Sequence, residues 1–123
     1  MAVMVRRLTG ELPRLLPLPQ AVFQILVALA DQDRHGYAIM QDVAARTNGS
    51  LKLSPGTLYG SIKRMLEDGL IVEVDARPGP DEDERRRYYR ITHSGRDIAQ
   101  AEADRLTVLL RQARAVGLTS KRA

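Results

Sequence analysis

Read for apolar and polar positions, the chain divides into four helical stretches and a pair of short extended ones. The first dozen residues have no clear period and are expected to be frayed or lightly docked, and Leu15-Leu16-Pro17-Leu18-Pro19 then breaks regular structure. From Pro19 to about Asp31, Val22, Phe23, Ile25, Leu26, Leu29 and Ala30 cover a broad helical face, as in a helix near the centre of a small core. Asp31 to Gly36 makes a connector. A second amphipathic helix is expected from about Tyr37 to Thr47, with Ile39, Met40, Val43 and Ala44 apolar and Asn48-Gly49 ending it. The third begins at Ser54, a good N-cap, with Pro55 at the first helical position, where a missing N–H costs nothing. Its Leu58, Ile62, Met65 and Leu66 recur at helical spacing, and Gly69 supplies the stop.

Opposite that stripe lie Gly56, Thr57, Gly60, Lys63 and Arg64, small near the N-terminus and cationic further on. Small residues let a helix approach a groove wall closely, and an amide-rich N-terminus with two cations favours phosphate. On helix chemistry alone the face fits an ordinary solvated surface equally well. The next segment changes the balance. Leu70 to Arg77 reads as a strand, Pro78-Gly79-Pro80 with the acidic run Asp81 to Glu84 as a loop, and Arg85 to Thr92 as a returning strand. A short extended piece, Leu51-Lys52-Leu53, could add a third strand. Helix followed by basic hairpin is the order of a winged helix, in which the helix enters the DNA major groove and the hairpin lies along the neighbouring backbone. The expected fold is mainly α with a small β-hairpin wing: a winged helix-turn-helix plus a long C-terminal helix.

That last helix opens at Thr92-His93-Ser94-Gly95, with Thr92 as N-cap, and runs to about Val116, twice the length of the others. Ala99, Ala103, Leu106, Leu110, Ala113 and Gly117 alternate spacings of four and three, the seam of a helix that packs lengthwise on another, and Leu109 and Val116 widen it. Such a seam meets either a second subunit or the chain's own core. Three helices and a hairpin already supply a core, so a second subunit is the expected partner, with Ala99, Ala103, Leu106, Leu109, Leu110 and Ala113 at a homodimer interface. The expected organisation is an arm over 1–18, a winged helix over 19–92, the dimerisation helix over 93–117 and a short tail over 118–123.

Length and composition add bounds. The 123 residues make one domain, and a hydrophobic content of 44% argues against disorder. With no Cys there are no disulfides, thiolate metal sites or cysteine nucleophiles. No apolar run approaches the length of about 20 residues needed to span a bilayer, and Met1 to Arg7 lacks the core of a secretory signal, so a cytoplasmic location is expected and no membrane partner. The net charge of +4 matters less than its distribution. Lys52, Lys63 and Arg64 share a stretch without acids, and Arg85, Arg86, Arg87 and Arg90 share another, which concentrates positive charge on the third helix and the wing. The run Asp81 to Glu84 is either a solvated tip that keeps the arginines hydrated or one that limits non-specific DNA binding.

With these pieces located, the sequence resembles the PadR family of bacterial transcriptional regulators from about Pro19 to Ala115. The matching motifs are His35-Gly36-Tyr37-Ala38-Ile39, Ser54-Pro55-Gly56-Thr57-Leu58-Tyr59, Lys63-Arg64-Met65-Leu66 with Gly69-Leu70-Ile71, and Arg86-Arg87-Tyr88-Tyr89-Arg90-Ile91-Thr92 with Gly95. Their order and spacing carry the likeness. The single C-terminal helix is similar to that of the shorter PadR subgroup, in which it makes the homodimer. The resemblance implies a repressor that binds an inverted-repeat operator as a dimer. The family often has Pro after the Leu-Tyr pair, where this chain has Gly60. Some relatives stack flat aromatic compounds on tryptophan at the dimer centre; this chain has no Trp and one Phe.

The DNA-binding residues expected from these readings are Ser54, Gly56, Thr57, Tyr59, Ser61, Lys63, Arg64, Arg85, Arg86 and Arg87. Tyr59 has two readings, a phosphate contact through its hydroxyl and packing through its ring. Tyr37 is expected to be structural, and strand alternation turns Tyr89 and Ile91 to the core. His35 and His93 stand at helix starts without ligand-spaced neighbours, and Ser54, Ser61 and Ser94 have no histidine in a nucleophile arrangement; with no Gly-rich phosphate loop, an enzyme, a metal or another cofactor is not expected. Two rivals to a DNA-binding regulator remain: a winged-helix module docking an acidic protein, and a small-molecule sensor with secondary DNA binding. A small apolar or aromatic effector, if one is sensed, is expected between two subunits, because a three-helix core filled by Phe23, Leu26, Ile39, Leu58 and Ile62 has no room for one.

Overall fold

A computed structural model of the chain describes residues 10–74 and 87–119. A 3₁₀ turn over Leu12–Leu15 leads to α1 (Gln20–Leu29), β1 (Arg34–His35), α2 (Gly36–Arg46), α3 (Pro55–Glu67), β2 (Ile71–Val74), β3 (Tyr88–Ile91) and α4 (His93–Ala115). The broad apolar face of α1 places Ile25, Leu26 and Ala28 out of solvent, among Ile39 and Val43 of α2, Leu58, Ile62 and Met65 of α3, and Ile98 of α4. Phe23 is an exception to the expected core, being only half-buried at its edge. Helix α1 ends two residues before its periodicity suggests. Arg34 Nε donates to the Ala28 carbonyl at 2.7 Å and Arg96 Nη2 to that of Ala30 at 2.8 Å, so side-chain cations satisfy the carbonyls at its end.

The turn from α3 into the wing depends on one residue. Gly69 has φ +73°, its N–H donates to the Leu66 carbonyl at 3.2 Å, and the Leu70 N–H reaches back to Met65 O at 2.9 Å. This paired closure needs the left-handed backbone that glycine adopts freely, and it seats Leu70 in the core beside Met65.

The sheet is antiparallel in the order β1-β3-β2, with Ile71 opposite Ile91 and Val74 opposite Tyr88. Its third strand is Arg34–His35, paired with Tyr89 and Tyr88, and the expected strand at Leu51-Lys52-Leu53 is absent. There the Leu51 N–H donates instead to Thr47 Oγ1 at 3.1 Å, and Leu53 turns into the core. As alternation requires, Tyr89 and Ile91 are buried and Arg90 between them is exposed. Burial first, and Glu73 second, push the Tyr89 phenol above its usual value.

Helix α4 starts where α3 ends. Thr92 Oγ1 accepts the Gly95 N–H at 3.0 Å and donates to the Gly69 carbonyl at 2.6 Å, while the Thr92 N–H donates to Leu70 O at 3.1 Å. A Cβ at Gly95 would run into the Leu70 carbonyl and the Ile91 side chain, so the close approach requires glycine. Two turns on, the buried carboxylate of Glu102 accepts the Leu18 N–H at 3.2 Å and both ends of the Arg105 guanidinium, at 2.9 and 2.7 Å. That cluster docks the N-terminal arm. No described helix is long and apolar enough to cross a membrane.

Candidate nucleic-acid interface

Helix α3 is built from the cap upward. Ser54 Oγ accepts the Thr57 N–H at 3.1 Å and donates to Thr57 Oγ1 at 3.0 Å, which fixes the first turn. Burial of Leu58, Ile62 and Met65 then turns Gly56, Gly60, Lys63 and Glu67 to the opposite, solvent side, with Thr57 and Arg64 on one flank and Tyr59 on the other. A Cβ at Gly56 or Gly60 would meet nothing within 4 Å. Their small size therefore serves no packing among the described residues and leaves the backbone open to an outside surface. Lys52, Lys63 and Arg64 are exposed, and among the described residues none has a carboxylate within ion-pair distance. Glu67 closes the ridge about 6 Å beyond Lys63 along the axis, so the face suited to an anion is its first two to three turns. Ser61 is half-buried on the core-facing flank, the least outward of the residues expected there.

Tyr59 is 53% exposed and lies over the start of α2, where a Cβ at Gly36 would come within 2.6 Å of its hydroxyl oxygen. The ring thus packs on Gly36 while the side chain stays open to solvent beside the exposed Tyr37. His35 caps α2, its Nδ1 accepting the Ala38 N–H at 3.1 Å, and meets Tyr88 edge-on with ring centroids 5.4 Å apart. The described residues contain no group of three His, Cys, Asp or Glu able to hold a metal.

In the wing the arginines divide. Arg90 forms a two-bond fork with Asp33, at 3.0 and 2.8 Å, locking the connector before β1 onto β3; its hydrogen bond to Asp33 raises its proton affinity further. Arg87 is exposed, with Nε 3.7 Å from Glu73. Arg85, Arg86 and the acidic run Asp81 to Glu84 lie outside the described residues.

Along α4 the apolar seam changes character. Ala99 and Ala103 are half-buried and border a groove of about 460 Å³ against α1, walled by Phe23 and Val27. Beyond it, Leu106, Leu109 and Leu110 are 41%, 46% and 42% exposed, with half-buried Ala113 on the same ridge. Sequence reasoning passed over Glu102. The readable signal was its spacing of three from Arg105; the backbone N–H it serves lies 84 residues earlier.

Comparison with known proteins gives a consistent picture. Residues 25–101 match the model of the transcriptional regulator PadR-like family. The chain is similar to the transcriptional regulator Rv3488 of Mycobacterium tuberculosis, with 34% identity over 92 residues covering 72% of this chain and 77% of that one. It is also 37% identical over 75 residues to the uncharacterized protein X of Lysinibacillus sphaericus, covering 58% of this chain and 64%, just under two thirds, of that relative. Among solved structures, a PadR family transcription regulator from Clostridium difficile superposes with a TM-score of 0.68 at 23% identity, over 80% of this chain and 98% of that one. This last likeness is one of fold.

Proposed function

The chain belongs to the transcriptional regulator PadR-like family, and on that premise we propose that it is a dimeric, sequence-specific repressor acting at an inverted-repeat DNA operator. The observation that carries this reading is the outer face of α3: two glycines with open space above them, then Lys63 and Arg64 with no carboxylate within ion-pair distance among the described residues. A helix shaped for its own core would have no use for that combination. In the proposed complex α3 enters the major groove, where Thr57 and Lys63 reach base edges, while the amides of its first turn, Ser54 and the Tyr59 hydroxyl face phosphate. Arg64 on the flank and Arg85, Arg86 and Arg87 on the wing contact the neighbouring backbone. The ridge of Leu106, Leu109 and Leu110, continuous with Ala99, Ala103 and Ala113, joins two copies so that each reads one half-site.

Footprinting on the DNA upstream of the protein's own gene tests the proposal. A protected inverted repeat is the expected result. Binding that is tight only on non-specific DNA would sink it and favour a module whose basic face docks an acidic protein.

A further inference from the structure

We propose that the groove between the N-terminal arm and the C-terminal half of α3 binds a single-chain aliphatic carboxylate, a molecule of the fatty-acid class, and that its occupancy shifts the DNA-reading helix. The groove holds about 430 Å³, within the range of small-molecule sites. The sequence places any effector between subunits for want of room inside one; that argument covers the core but not this seam, where the arm lies across the end of a helix. Val22, Met65 and Leu70 line its buried side, and Leu15 and Pro17 its outer wall. Every apolar lining residue is aliphatic. Among the lining residues a flat aromatic ring finds no aromatic side chain to stack on, whereas a methylene chain gains dispersion contacts along the whole apolar wall, with the adaptable Met65 thioether among them.

The polar lining selects the head group. Arg14 of the arm and Arg64 of α3 face a single acid, Asp68, among the lining residues. Arg14 reaches Asp68 only at 3.5 Å and otherwise pairs, at 3.2 Å, with the exposed Glu11 outside the groove. Arg64 has no carboxylate in reach among the described residues. The groove lining therefore carries one positive charge more than negative, on planar groups suited to bidentate contact with a carboxylate. An anionic head on an aliphatic chain fits both the lining and the charge.

Binding there would act on α3 because the arm is anchored elsewhere. The Leu18 N–H is held by Glu102 of α4, which Arg105 grips in turn, so a wedge in the groove presses on the helix rather than displacing the arm. It would also draw Arg64 away from phosphate. This regulatory half rests on α3 being the DNA-reading helix; the binding half does not.

The test uses the full chain and decanoate below its micelle concentration. Calorimetry without DNA should give saturable binding at one site per chain, about tenfold or more weaker for Arg14→Ala and for decanol in place of decanoate, as loss of a charge-assisted contact implies. Leu15→Trp, which fills the groove from its rim, should abolish it. No saturable binding, or binding equal across wild type, Arg14→Ala and decanol, overturns the site. On a footprinted operator, decanoate should raise the apparent Kd several-fold for wild type and leave Leu15→Trp unresponsive. Saturable binding with an unchanged operator Kd overturns the regulatory half, and a protein that binds no operator at all leaves the calorimetric result standing.

Discussion

At Gly95 a missing side chain lets the first turn of α4 rest on the backbone of Leu70, and a backbone carbonyl cannot move aside as a side chain can. Gly95→Ala is therefore expected to destabilise the fold by about 1–3 kcal/mol in urea titrations. Gly36→Ala makes the instructive contrast, because the nearest atoms to its Cβ would be the end of the Tyr59 side chain, which is 53% exposed and has solvent to swing into. It should cost little stability and displace Tyr59; equal losses for both variants would contradict this account. Glu102 gives a prediction in pH. The Arg105 guanidinium foremost, and the Leu18 N–H after it, hold its carboxyl below the usual value of 4.5 against the opposing effect of burial. The folded chain then binds that proton less readily than the unfolded one, so the stabilisation is complete above the ordinary value and is lost as pH falls through the lowered one. Glu102→Gln should be less stable than wild type at pH 7, and the gap should close below about pH 4.5; a gap independent of pH would argue against a carboxylate held this way.

Between elements the division of labour is testable in binding. Lys63→Ala is expected to change the ranking of operator variants, since a good base contact is worth about 1 to 3 kcal/mol. Arg87→Ala should weaken all sequences alike and lower the salt slope by about one. Gel-shift titrations over a salt series separate the two, and no loss for Arg87→Ala would remove this arginine from the interface. The elements themselves were legible where their determinants are local. Ser54, Thr92 and Gly69 sit beside the helix ends they serve, and the spacing of Leu58, Ile62 and Met65 sorts the two faces of α3 before any contact is known. Strand β1 was not legible: Arg34 and His35 are too few to alternate, and their partners lie far along the chain. Leu51 to Leu53 alternates as a strand should, yet its first N–H is taken by Thr47. The same limit hid the arm, because nothing near Leu18 marks its N–H as bound for Glu102, and it hid the difference between Arg90, committed to Asp33, and the exposed Arg87.

For the whole molecule, the exposed ridge on α4 predicts association. Converting Leu106 and Leu110 together to Glu should yield a monomer with far weaker operator binding, since one winged helix reads one half-site. Sedimentation of wild type as a monomer at micromolar concentration would refute it. The bonds from Thr92 to Gly69 and Leu70 then have a mechanical consequence. They tie the end of α3 to the start of α4, so in the proposed dimer α4, about 35 Å from end to end, acts as a lever whose tilt biases where α3 points. On the proposed reading, two such levers clamped together are not expected to stretch to meet a wider operator. Inserting two base pairs between half-sites moves one by about 7 Å and turns it by about 70°, which should reduce binding to that of a single half-site, whereas a loosely tethered pair would hold both spacings nearly alike.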